Sequence, residues 1–154
     1  MKFIFLSVVL LFSINFCFCQ TKYDSIEFEH GNSIIIGSYV KIKLQPIKKN
    51  KKEKTRVTFE SKDNFYTKKI SKEKYQEICN SLSKIKYDTI VKTNCIDGSS
   101  TFIKTYKGNF KKVYYIDCIS SKDQFDEKRK DFWYVTKLIV EIAGIRINNL
   151  TDYN

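Results

Sequence analysis

The 154-residue chain predicts an α+β fold: an antiparallel sheet of about five or six strands with two helices packed on one face. Three observations carry that expectation. The first half alternates apolar and polar residues, so that Val40, Ile42 and Leu44 share one face of a strand. Two later stretches switch to steps of three and four, with Tyr75, Ile78, Cys79, Leu82 and Ile85 in one and Phe132, Val135, Leu138, Ile139 and Ile142 in the other. Between them, Gly108-Asn109 separates two β-prone runs, a strong hairpin signal.

Taken in order, Ile26 and Phe28 form a weak leading strand, and His30-Gly31-Asn32 a turn. Ser33 to Leu44 is a strand that Pro46 ends, because proline lacks the donor a sheet ladder needs. Lys48 to Lys54 has no apolar residue and reads as an exposed turn, after which Arg56 to Phe59 and Phe65 to Ile70 complete a meander. A helix is expected over 72–84, capped by Ser71 with Glu73 where the helix dipole favours an anion. Tyr87 to Val91 is a short strand, and Asn94 to Ser100 a loop. Thr101 to Lys107 and Phe110 to Asp117 make the hairpin, its aromatic residues filling space between sheet and helices. Ser121 with Gln124 fits a capping box for the closing helix, and Gly144 supplies its stop. Ile145 to Ile147 adds a terminal strand, and the last seven residues fray.

The amino-terminal segment has its own logic. Met1-Lys2 precedes an apolar run from Phe3 to Phe16, broken only by Ser7, Ser13 and Asn15, and Cys17-Phe18-Cys19 puts small residues at the third and last positions before Gln20. This is the pattern of a secretory signal peptide over 1–19, leaving 20–154 as a single exported domain, periplasmic or secreted, with no transmembrane segment in the mature chain. The alternatives keep the protein membrane-anchored through that segment, either as a retained helix shorter than the ~20 residues a span needs or by lipid on Cys17 or Cys19.

Removing Lys2 from a chain of net charge +11 leaves a strongly basic body that attracts polyanions. Apart from Arg56, Arg129 and Arg146, every basic residue is Lys, whereas bidentate recognition of phosphate favours Arg. Lysine richness therefore reads first as a solvated face. Lys48, Lys49, Lys51, Lys52 and Lys54 are the candidate anion-binding residues, and a polyanion site would gather them with Lys104, Lys111 and Lys112. The hairpin aromatics among lysines also fit a nucleic-acid stacking platform, the less favoured reading.

Cys79, Cys95 and Cys118 follow the leader. In an oxidising compartment an odd count leaves one bridge and one thiol, or three thiols. The expected bridge is Cys95–Cys118, because the hairpin puts position 118 opposite 99, and such a loop adds about 3 kcal/mol. Cys79 falls on the apolar stripe of the first helix as a small hydrophobe.

No catalytic residue is assigned. The one histidine, His30, has no nucleophile motif beside it, and the cysteines lack the close spacing of a zinc site, so no metal or cofactor is implied. Asp97-Gly98-Ser99-Ser100 reads as a turn before it reads as a ligand loop, because a calcium site needs more carboxylates. The order of elements, with Ile70-Ser71-x-x-x-Tyr75-x-x-Ile78-x-x-x-Leu82, then Asp97-Gly98, a hairpin through Gly108 and a closing helix, resembles a loose group of small exported bacterial proteins of uncharacterised function, over roughly 35 to 143. That resemblance implies a bacterial cell-envelope location and supplies no site residue. The expected function is a non-catalytic binding or interaction domain whose partner, a protein or envelope component, docks on the uncovered sheet face or an edge strand. The alternatives are a weak polyanion binder and an envelope enzyme using His30 or the Asp97 loop, for which a pocket would converge on those residues.

Overall fold

A computed structural model describes residues 23–32, 39–49, 52–86 and 98–151. Six strands form one antiparallel sheet: β1 (Ser25–Asn32), β2 (Tyr39–Lys49), β3 (Lys52–Ser61), β4 (Phe65–Ser71), β5 (Ser99–Lys107) and β6 (Phe110–Asp117), in the order β4-β3-β2-β1-β5-β6. Helix α1 (Lys72–Leu82) follows β4, and a 3-10 turn (Ser121–Phe125), helix α2 (Lys130–Ala143) and the single-turn α3 (Asn148–Thr151) follow β6. This is the expected α+β fold.

The alternation of side chains across each strand sorts the sheet into two faces. Register pairs Ile26 with Leu44, Phe28 with Ile42, Ile42 with Phe59 and Leu44 with Val57, and all are buried. Tyr75, Ile78, Cys79 and Leu82 of α1 join them in one core cluster with Phe132, Val135, Ile139, Val140 and Ala143 of α2. At roughly 25 cal/mol per Å² of apolar surface, such burial is the main stabilising contribution. Helix α1 starts where Ser71 Oγ accepts the N–H of Lys74 at 3.4 Å. Helix α2 stops at Gly144, whose φ of +92° reverses the chain so that Ile145 N–H returns to the Val140 carbonyl at 3.0 Å.

Several expected boundaries move. β2 continues through Pro46 to Lys49, because β1 pairs with it only as far as Leu44; beyond that point β2 is an edge on its β1 side, where a missing donor costs no ladder bond. The expected lysine turn is thus mostly strand, Lys48 pairing with Glu53 and Lys49 with Lys52, since ladder pairing is made by the backbone whatever the side chain. His30, Gly31 and Asn32 belong to β1 instead of a turn, held from both sides by Tyr39 and Val40 of β2 and by Ser99, Ser100 and Thr101 of β5.

The closing helix begins nine residues later than its expected cap at Ser121. Asp126 Oδ1 accepts the N–H groups of Lys128 at 2.8 Å and Arg129 at 3.0 Å, a local turn that competes with helix. Upstream, the Asp123 carboxylate accepts the Ser120 N–H at 2.9 Å, one residue before the expected Ser121-Gln124 box. Arg129 then ties the segment down: its Nη2 donates to the carbonyls of Asp117 at 2.7 Å and Cys118 at 3.1 Å and pairs with Asp123 at 3.1 Å. Residues 145–147 form no strand. Ile147 and Leu150 are buried, so the tail packs through Thr151 where fraying was expected. The expected strand at Tyr87 to Val91 lies outside the described residues.

Candidate functional site

Both helices lie on one side of the sheet, and among the described residues no element packs on the other. Register across the sheet puts Phe65, Glu60, Lys41, Glu29, Phe102 and Tyr115 in one row of that open face, and Thr67, Thr58, Lys43, Glu27, Lys104 and Val113 in the next. Hydrogen bonds within the face engage its acids. Glu27 accepts from Lys43 and from Tyr106, both at 2.8 Å, Glu29 pairs with Lys104 at 2.5 Å, and Glu60 accepts from Tyr39 at 3.2 Å. Burial alone would raise the Glu27 carboxyl, but the bonds from Lys43 and Tyr106 outweigh it and hold the group below the usual range. Asp117 accepts from Tyr115 and from Ser100. What remains outward is basic and aromatic: Lys41, Lys54, Arg56, Lys69 and Lys111 are exposed, Phe65 is 71% exposed and Val113 42%, and the Phe102 ring lies tilted against Tyr115 with centroids 4.5 Å apart.

The hairpin aromatics therefore do not all fill core. Phe102, Tyr106 and Tyr115 stand on the open face, whereas Tyr114 is buried on the helical side, and this split also divides the expected stacking platform between two faces.

His30 is 3% exposed, and its Nδ1 lies 2.9 Å from Thr101 Oγ1. Burial pushes its pKa down to about 4, so the ring is neutral at ordinary pH. Four surface cavities, of about 760, 340, 410 and 480 Å³, have no His30 in their walls. Asp97 lies outside the described residues, and among those described no cluster of three or more His, Cys, Asp or Glu is placed to hold a metal.

Cys79 is buried and forms no disulfide, and Cys118 is disulfide-bonded. Cys118 N–H donates to the Ser99 carbonyl at 2.7 Å, which fixes position 118 opposite 99. Its bridging partner lies outside the described residues, as do Cys95, Cys17 and Cys19.

The lysines fall into two groups at one end of the sheet, because Leu44, Ile26 and Thr105 share a row. Lys48, Lys49, Lys52 and Lys54 occupy the β2–β3 hairpin, while Lys51 lies outside the described residues. Lys107, Lys111 and Lys112 flank the β5–β6 turn, and Lys104 sits in mid-strand beside Glu29. The β5–β6 cavity is lined by Tyr23, Thr105, Lys107, Phe110, Lys111, Lys112 and Val113. Lys107, Lys111 and Lys112 were legible as lysines on both sides of Gly108-Asn109, whereas sequence reasoning missed Tyr23 and Val113, Tyr23 coming from more than eighty residues away. No protein-family model matches the chain, and no curated protein is significantly similar to it.

Proposed function

We propose that the chain is an exported, non-catalytic interaction domain whose open sheet face docks a cell-envelope protein with a net acidic contact surface. The observation that carries this reading is the sheet packed on one side and bare on the other among the described residues, its bare side presenting aromatic side chains between lysines whose neighbouring acids are already engaged. Charge complementarity then selects an acidic partner. The face is favoured over the edges because both edge strands carry adjacent lysines, Lys68-Lys69 on β4 and Lys111-Lys112 on β6, which oppose an added strand. Export rests on the leader pattern over 1–19.

Photo-crosslinking residues at Lys43 or Val113, on the bare face, and at Gln76 or Lys137, on the helical layer, test the reading in the envelope fraction. Adducts of one defined mass are expected from the first pair only, and replacing Lys41, Arg56 and Lys69 by Glu should abolish them. Equal adducts from the helical positions, or adducts indifferent to the charge reversal, would sink it.

A further inference from the structure

At one end of the sheet β1 and β2 part. Their pairing stops at Ile26–Leu44, Pro46 has no N–H with which to continue it, and Asp24 stays with β5, its N–H donating to the Tyr106 carbonyl at 2.8 Å. A cavity of about 340 Å³, within the range of small-ligand sites, lies there with Asp24, Pro46, Thr55, Tyr75 and the Glu53–Lys72 ion pair of 2.5 Å in its walls. Ile47 and Lys54, a register pair, also border it, but strand alternation points both toward the bare face of the sheet. Thr55 is only 2% exposed, its hydroxyl makes no hydrogen bond among the described residues, and the little surface it keeps is turned into the cavity. Asp24 is held in place by its carboxylate as well as its N–H: Oδ2 accepts the Gly108 N–H at 2.6 Å, which leaves Oδ1 as an acceptor. The Tyr75 hydroxyl is committed to the Tyr23 carbonyl at 3.0 Å, so Tyr75 serves the cavity with its ring, as Pro46 does. Lys72 is matched by Glu53, and no cation among the described residues pairs with Asp24.

We propose that this cavity binds a primary ammonium group carried on a small apolar body, the ammonium between the Asp24 carboxylate and the Thr55 hydroxyl and the apolar part against Pro46 and the Tyr75 ring. An ammonium has three donors and no acceptor, which suits walls whose remaining capacity is to accept. It also supplies the Thr55 hydroxyl with a charge-assisted bond, the strong kind, at a position that is otherwise buried without a partner. A carboxylate ligand would face Asp24 and Glu53 with Lys72 already engaged, and a bare divalent cation needs six or more oxygens, which one hydroxyl and two carboxylates do not provide. A free amine and the amino terminus of a peptide present the same chemistry. The cavity lies on the helical side of the sheet, apart from the bare face where the protein partner docks, so the two readings stand or fall separately.

An NMR titration of the full chain with n-butylamine and with leucinamide reads the site directly, because the Gly108 amide is bonded to Asp24 and reports on it. The Gly108 signal is expected to shift with both amines and to stay put with N-acetyl-leucinamide and with butyrate, which keep an apolar part and lose the ammonium. Tighter binding of leucinamide assigns the site to a peptide amino terminus, and tighter binding of n-butylamine to a free amine. Thr55→Val keeps the shape of the wall and should weaken binding about tenfold, as expected for a hydrogen bond to a charged group. Asp24→Asn keeps an acceptor for Gly108 and should lose at least as much. Glu127→Gln removes the same charge from an exposed position outside the cavity and should bind as the parent does. Equal shifts from the acetylated compound, equal losses in Glu127→Gln and Asp24→Asn, or a Gly108 signal unmoved by millimolar amine would each overturn the assignment. The comparison of leucinamide with its acetylated form needs only the parent protein, so it decides the matter even where a variant fails to fold.

Discussion

At the scale of single residues, His30 shows how far position overrides type. Beside Gly31 and Asn32 it reads as a turn histidine, yet β2 and β5 both pair with His30 and Gly31, and Asn32 pairs with Ser99 of β5, so all three belong to a central strand. An unfolded imidazole takes its proton near pH 6.5, whereas this one holds off until about 4. The native state is therefore at a disadvantage for protons throughout that window. The His30 contribution to stability should level off above pH 6.5 and fall by about 3 kcal/mol as pH drops to 4. Denaturant midpoints at pH 7 and pH 4.5, compared between the parent and His30→Gln, measure this, and the variant should lose less over the interval. Asp123, which burial pushes up, acts in the opposite sense but is common to both proteins. A slope unchanged by the substitution would show that the burial of His30 does not control it. The same lesson holds for the cavity at the β5–β6 turn: Lys111 and Lys112 are adjacent in the chain and visible as a pair, but their convergence with Tyr23 needs the completed sheet.

At the scale of elements, the helices were the most legible parts. The Tyr75-Ile78-Leu82 stripe and the Ser71 cap are local signals, and α1 begins where they place it. Strand limits were less so, because they depend on neighbours that sequence does not show. Pro46 ends a strand only if that strand is flanked on both sides, and here β1 has already stopped. The late start of α2 has the same origin, with Arg129 committed to the carbonyls of Asp117 and Cys118 and so holding the preceding turns against the end of β6. Gly144 was legible, and its role can be measured. A Cβ there would meet Lys68 Nζ at 3.6 Å and Tyr66 Oη at 3.8 Å, ordinary contacts, so the cost of Gly144→Ala is that of the left-handed backbone alone. About 1 to 2 kcal/mol is expected in urea unfolding. A loss well above that would point to crowding instead.

At the scale of the whole molecule, the fold class was readable because period-two and period-3.6 patterns occupy separate stretches of the chain. What sequence withheld was the order of the strands and which lysines share an end. The disulfide at Cys118 bears on the same scale, since it ties the last strand back to an earlier part of the chain. If Cys95 is its partner, non-reducing peptide mapping will join the peptides containing 95 and 118, Cys79 will alkylate only after denaturation, and reduction will cost about 3 kcal/mol. A different pairing in that map would remove the expected bridge. The lateral limits of the sheet carry a final consequence. An incoming backbone would have to lie against two neighbouring ammonium groups at either margin, on β4 or on β6. Copies of this protein crowded together are thereby kept from zipping into a continuous ribbon, and the charge that makes the surface attractive to acidic neighbours also keeps it from growing onto itself.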